Sequence, residues 1–195
     1  MSAAGKVCIG FSKPYVALYT NEGTTVTYAS GQLLARGVDV SIEPETSDDN
    51  AFYADNIQAE NDAGTFTGGT LNLTVDGLHL AAEKLIMGLP APDSNGWTDY
   101  NDDQKIPYVG VGYVAKYMSG GEITYDATVI RKAVFNQIKT SHATSEDNVN
   151  YQTQALSARI LRADDAKKTW KSVNEALATE AAAEAVIKTL FGISG

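Results

Sequence analysis

Val38-Asp39-Val40-Ser41-Ile42-Glu43 and, further along, Thr70-Leu71-Asn72-Leu73-Thr74-Val75-Asp76 share one pattern, a strict alternation of apolar and polar residues. Period-two alternation sends one set to each face of an extended strand, so both stretches predict half-buried strands. Val38, Val40, Ile42, Leu71, Leu73 and Val75 then enter a core, and Asp39, Ser41, Glu43, Asn72, Thr74 and Asp76 meet water. Between them, residues 44–64 form an acidic excursion with Asp48, Asp49, Asp55, Glu60 and Asp62, expected to be a long loop. Pro44 has no N–H to donate and is expected to end the first ladder. Any function has to account for a sheet with one dry face and one acidic, wetted face.

Outward from this pair, turn signals divide the chain into further strands. Residues 15–20 and 24–29 read as strands around the Asn21-Glu22-Gly23 turn, and Ser30-Gly31 turns the chain into a strand over 33–43. Residues 107–117 and 122–136 read as a hairpin across Met118-Ser119-Gly120-Gly121, with a bulge near Ile130-Arg131 where the alternation slips. Strands are expected again at 149–161 and 168–173. Two segments change period: residues 78–87 (Leu78, Ala81, Ala82, Leu85, Ile86), stopped by Gly88, and residues 179–191 (Ala182, Val186, Ile187, Leu190, Phe191), stopped by Gly192. Both read as amphipathic helices. The second has two candidate starts, a capping box from Ser172 to Glu175 and an N-cap at Thr179. The order predicts a mainly β chain, a β-sandwich or barrel with a short inserted helix and a C-terminal helix. Its 195 residues suit a single domain, with residues 1–13 as a mobile arm.

The net charge of −9 is concentrated. Residues 39–103 hold fourteen acidic side chains against one basic, Lys84, while both flanks are slightly basic. Such a field repels phosphates and disfavours ordinary nucleic-acid binding. Cys8 is alone, so no internal disulfide can form. No signal peptide and no apolar run of membrane-spanning length is read from the sequence.

The chemical motifs are weak. Gly110-Val111-Gly112-Tyr113-Val114-Ala115 matches a dinucleotide-binding pattern, but that pattern needs a helix opening at the glycines, and here the chain runs on as a strand. Two glycines on one strand face where another element comes close is the simpler reading. Asp99-Tyr100-Asn101-Asp102-Asp103 begins like a calcium loop, yet Gln104 and Gly110 stand where it needs Gly and Glu. His79 and His142 lack partners at zinc-ligand spacing, and no nucleophile elbow is present. The pairs Asp48/Asp49, Asp102/Asp103 and Asp164/Asp165 lie among turn residues that favour Asp for local hydrogen bonding. No catalytic, metal or cofactor site is expected.

Several stretches in order carry a resemblance: Val26-Thr27-Tyr28, Leu34-Ala35-Arg36-Gly37-Val38, Phe52-Tyr53-Ala54-Asp55-Asn56, Phe66-Thr67-Gly68-Gly69-Thr70-Leu71, Pro107-Tyr108-Val109-Gly110-Val111-Gly112-Tyr113, Tyr151-Gln152-Thr153, and a Trp170 strand leading to an Ala-rich helix that ends Leu190-Phe191-Gly192. Together they resemble the major tail protein, or tail tube protein, family of long non-contractile-tailed bacteriophages (siphoviruses). The family is similar in plan to the tubes of contractile tails and type VI secretion systems. The resemblance implies a β-sandwich with a flanking helix that self-assembles into stacked hexameric rings, a conduit for DNA ejection. It implies no enzyme activity and no cofactor. Its partners would be further copies of itself and the tape measure, tail terminator and distal tail proteins, with DNA only in transit and no membrane. Its place would be the virion tail, assembled in the bacterial cytoplasm. On that reading Asp39, Ser41, Glu43, Asn72, Thr74 and Asp76 face the lumen, and Asp48, Asp49, Phe52, Tyr53 and Asp55 grip a neighbouring subunit. The alternative is a β-sandwich binding module for a carbohydrate or receptor, with Trp97, Tyr100 and Tyr117 stacking on sugar rings.

Overall fold

The structure, a computed structural model, describes residues 5–48, 50–54, 57–62, 64–140 and 152–193. The chain is mainly β with a C-terminal helix. Its elements are β1 (Val7–Glu22), β2 (Thr25–Leu33), β3 (Gly37–Thr46), β4 (Asn50–Ala54), β5 (Ile57–Asp62), β6 (Phe66–Val75), α1 (Leu80–Met87), β7 (Val109–Ser119), β8 (Glu122–Phe135), β9 (Gln154–Leu161), β10 (Lys171–Leu177) and α2 (Glu180–Leu190).

Eight strands form one antiparallel sheet in the order β2-β1-β7-β8-β9-β6-β3, with β10 also paired to β8. The sheet folds back on itself, so that β1 lies against β3 and the Phe11 ring occupies the space left by Gly37. The corner is in β8. Its first half pairs with β10 from Tyr125↔Leu177 to Ile130↔Lys171, and its second half pairs with β9 from Lys132↔Leu161 to Phe135↔Ala158. Between them the register with β7 slips, Val111 facing Ile130 but Val109 facing Ala133. A bulge bends and twists a strand, which lets β8 pass from one layer to the other. This is the bulge that the broken alternation at Ile130-Arg131 predicts.

Two apolar clusters follow. Between the layers lie Val16, Leu71, Leu73, Val75, Val111, Ile130, Phe135, Leu156 and Ile160, joined by Ala82, Ile86 and Met87 of α1. On the far face of the β1-β7-β8 layer, Ala17, Val114, Ala127 and Val129 pack against Ala183, Ile187 and Phe191 of α2. The middle strands are therefore buried on both faces. The outer face of β3-β6-β9 stays wet, because Leu71, Leu73 and Val75 spend the other face on the core.

Both helices occupy the predicted segments. Gly88 closes α1 in the left-handed region at φ 65°, where a side chain would be strained. Thr179 starts α2, its side chain accepting a hydrogen bond from the Ala182 N–H at 3.1 Å. Ser172 and Glu175, the competing cap, belong to β10.

Three expectations need correction. The mobile arm over residues 1–13 is strand from Val7 onward, paired to β7 from Val7↔Met118, and residues 1–4 lie outside the described residues. The expected strand over 33–43 is two strands, interrupted where Leu34 and Ala35 turn into the core. The long loop over 44–64 is largely strand. β3 continues through Pro44, which faces Gly69, and β4 and β5 then make a separate two-stranded hairpin. Pro44 did not end its ladder because β3 is the last strand of the sheet, and a missing N–H costs nothing on the open side of an edge.

Candidate functional site

The outer face of β3, β6 and β9 is built from cross-strand rows. Register places Ser41, Asn72 and Ser157 in one row, Glu43, Thr70 and Arg159 in the next, and Asp39, Thr74 and Ala155 in a third. The centre is a neutral ladder of hydroxyls and an amide. Asn72 Nδ2 donates to Glu43 Oε1 at 3.2 Å and to Ser41 Oγ at 3.5 Å. A recess of about 530 Å³ opens beside it, where Asn136, Gln137 and Lys139 run past Asn72, Thr74 and Ser157.

Of the sequence-predicted face, Asp39, Ser41 and Glu43 are exposed on β3, and Asn72 and Thr74 are half-buried on β6. Val38, expected in the core, is 55% exposed instead. It sits in the register slip between Gly37↔Val75 and Asp39↔Thr74, which takes its side chain out of the core-facing row. Asp76 is not an open carboxylate. It accepts from Arg36 Nε at 2.5 Å and from the Arg36 N–H at 3.0 Å, closing the chain between β2 and β3 onto the end of β6. These bonds hold its carboxyl below the usual range.

Arginines that the sequence reading passed over reshape this face. Arg159 Nη1 and Nη2 grip both oxygens of Glu45 at 2.5 and 2.7 Å, a bidentate pair, and depress the Glu45 carboxyl. Its guanidinium crosses over Gly68, where a Cβ would lie 2.6 Å from Nη2. Of the four face carboxylates, Glu45 and Asp76 are thus held by arginines, and the open negative charge falls to Asp39 and Glu43. The signal was present in β9: Gln154-Ala155-Leu156-Ser157-Ala158-Arg159 alternates too, and puts Ser157 and Arg159 on the polar side.

Of the predicted gripping residues, Asp48 is exposed just after β3, and Phe52 and Tyr53 lie in β4. Asp49 and Asp55 lie outside the described residues.

The remaining motifs have structural explanations. A Cβ at Gly110 would meet Tyr28 at 2.5 Å and Phe191 at 3.0 Å, and one at Gly112 would meet Ile187 at 2.7 Å. The two glycines let α2 and Tyr28 close onto β7, in accord with the simpler reading of that motif. Asn101 Oδ1 accepts from the Asp103 N–H at 3.1 Å, an Asx-type turn within the calcium-like loop. His79 occupies the N-cap position of α1 without capping it. His142 lies outside the described residues. Asp164 is taken by Lys132 at 2.6 Å and by the Tyr19 hydroxyl at 2.9 Å. Asp165 caps the turn back to Thr169. Cys8 is exposed. Trp97, 72% exposed, and Tyr100, hydrogen-bonded to Glu83 at 2.7 Å, stand out from the loop before β7. Tyr117 lies under the Lys6 ammonium, 4.3 Å from the ring centre. Among the described residues no three His, Cys, Asp or Glu side chains converge as a metal site, and no helix is long and apolar enough to cross a membrane. No protein-family model matches the chain, and no curated protein sequence matches it.

Proposed function

We propose that this chain is a structural tube protein of the phage tail tube type, a virion component that self-assembles into stacked rings and forms the conduit for DNA ejection. One observation carries the reading: the broad polar face of β3-β6-β9, turned away from the helix-covered face and built from hydroxyls, an amide and carboxylates. A wetted sheet face without a nucleophile–base pair or ligand cluster suits a wall better than a catalytic floor. As a lumen lining, Asp39, Ser41, Glu43, Asn72 and Thr74 present no cation to passing DNA, and the arginines at this face, Arg36 and Arg159, are occupied by Asp76 and Glu45. The ordered sequence resemblance points the same way. Partners would be further copies of the chain and the tail proteins that start, measure and close a tube. Negative-stain microscopy of the purified protein, alone and with a tail initiator complex, tests this. Tubes or rings are expected, and a protein that stays monomeric in every condition overturns the reading.

The exposed Trp97 and Tyr100 favour a second reading, a carbohydrate-binding module, because aromatic faces stack on sugar rings. Saccharide binding on a glycan array, lost in Trp97→Ala and seen without assembly, would favour it.

A further inference from the structure

The chain's positive charge is also concentrated. Residues 162–171 hold four basic side chains, Arg162, Lys167, Lys168 and Lys171, in a chain of net charge −9. The acids among them are engaged internally. Asp165 accepts from the Thr169 N–H at 2.7 Å and from the Thr169 hydroxyl at 2.6 Å, while its carbonyl accepts from the Lys168 N–H at 3.0 Å. This turn holds Lys168 at φ 54°, a left-handed backbone that a non-glycine residue keeps only where its surroundings impose it. Asp164 is taken up with Lys132 and Tyr19. Lys167 and Lys168 are exposed and form no ion pair among the described residues.

Beside this turn, where β8 bends, a recess of about 410 Å³ is lined by Thr67, Tyr108, Lys132, Leu161 and Arg162. The Lys132 side chain is only 13% exposed. Its Nζ lies 4.4 Å from the centre of the Tyr108 ring and 4.9 Å from that of Tyr19, and donates to Asp164 Oδ2 at 2.6 Å. The Tyr19 hydroxyl donates to the same oxygen at 2.9 Å and accepts from the Asp164 N–H at 2.8 Å. These contacts fix the ammonium in place and leave it N–H groups to spare. Arg162 donates to the Phe66 carbonyl, and its remaining N–H groups meet no acceptor among the described residues. Thr67 and Tyr108 add hydroxyls to the lining.

We propose that this recess is an oxyanion site that binds a phosphate group, free or as a small ester, between Lys132 and Arg162. Two cations from separate strand ends, with hydroxyls beside them, match a tetrahedral anion whose oxygens point several ways. A flat, singly charged carboxylate would be satisfied by the guanidinium fork alone. Lys167 and Lys168 raise the local potential and favour the more highly charged anion. The recess has the volume of a small-ligand pocket, and Leu161 and the Tyr108 ring are placed to face the rest of an ester. The site makes no use of Asp39, Ser41, Glu43, Asn72 or Thr74, so it and the tube reading can fail separately.

Isothermal titration calorimetry on the full chain at constant ionic strength tests this, with inorganic phosphate, phenyl phosphate and acetate as probes. Saturable phosphate binding is expected, with acetate at least about tenfold weaker. Arg162→Gln should weaken phosphate binding at least about tenfold by removing a charge-assisted contact, with an unchanged circular dichroism spectrum. Arg162→Lys, which keeps the charge but not the fork, should lose less. Lys167→Gln with Lys168→Gln should weaken binding about threefold at low salt and not at high salt, because these charges act through solvent. Lys139→Gln, at an exposed lysine elsewhere, should change nothing. Tighter binding of phenyl phosphate supports an ester as the ligand, and tighter binding of inorganic phosphate supports the free ion. The inference is overturned if the wild type shows no saturable phosphate binding, if acetate binds as tightly, or if Arg162→Gln and Lys139→Gln behave alike. It is equally overturned if only a DNA oligonucleotide binds and phosphate does not displace it, because the cations would then act as a diffuse patch.

Discussion

Glu184 shows how one side chain ties α2 to the sheet. It accepts from the Tyr15 hydroxyl at 2.5 Å and from Lys188 at 2.9 Å, with Lys13 at 3.5 Å. The hydrogen bond from Tyr15 comes first among the causes that bring its carboxyl down from 4.5 to about 2. The folded value lies below the unfolded one, so the ionised carboxylate stabilises the fold above about pH 4.5, and that contribution drains away as pH falls toward 2. In Glu184→Gln the urea midpoint should vary less with pH across this window than in the wild type. Parallel profiles would show that the contact carries no stability. Gly110 acts by absence. A valine there would drive into Tyr28 and Phe191, and overpacking of this kind costs about 1–3 kcal/mol. Equilibrium unfolding should register the loss, and a neutral Gly110→Val would mean that α2 can shift outward freely.

At the level of elements, α2 depends on its cap and β8 on its bulge. Thr179→Ala removes the acceptor for the Ala182 N–H and should cost about 1 kcal/mol, readable as a lowered thermal midpoint. An unaltered midpoint would mean that packing of Ala183, Ile187 and Phe191 alone positions the helix. The slip in β8 joins the two halves of one sheet into layers. In this protein the sandwich that the strand count predicts is a single folded sheet, whose edges among the described residues are β2, β3 and β10. Edge position also explains Pro44, which is intolerable in a central ladder and harmless here.

For the whole molecule, the face charge tests the conduit reading. Asp39→Lys with Glu43→Lys reverses the two carboxylates that no arginine holds, while leaving the Glu45–Arg159 and Asp76–Arg36 pairs in place. Tubes should still form, and DNA ejection from particles built with the variant should slow as phosphates meet fixed cations. Failure of assembly would put these residues in a subunit contact. Adding Asp76→Lys would confuse the result, because it breaks the Arg36 clip that closes the chain against β6.

Much of this architecture was legible in residue order, because period and turn chemistry are local. Alternation located β3 and β6, the glycine pair at 120–121 marked the β7–β8 turn, and the three-four spacing marked both helices. The broken alternation at Ile130-Arg131 foretold the bulge. Other features depend on which elements meet, and no local pattern encodes that. β7 is apolar on both faces, so only packing shows that Val111 joins one core and Val114 the other. Acidic composition made residues 44–64 read as loop, yet main-chain pairing, which does not depend on side-chain charge, makes most of them strand. The charge of the polar face was overestimated, since Arg36 holds Asp76 from 40 positions away. Sequence thus determines where strands, turns and helices lie, through backbone and burial preferences of neighbouring residues. The fold alone determines the edge status of β2 and β3 among the described residues and the pairing of Asp76 and Glu45 with arginines, because each of these is a relation between residues distant in the chain.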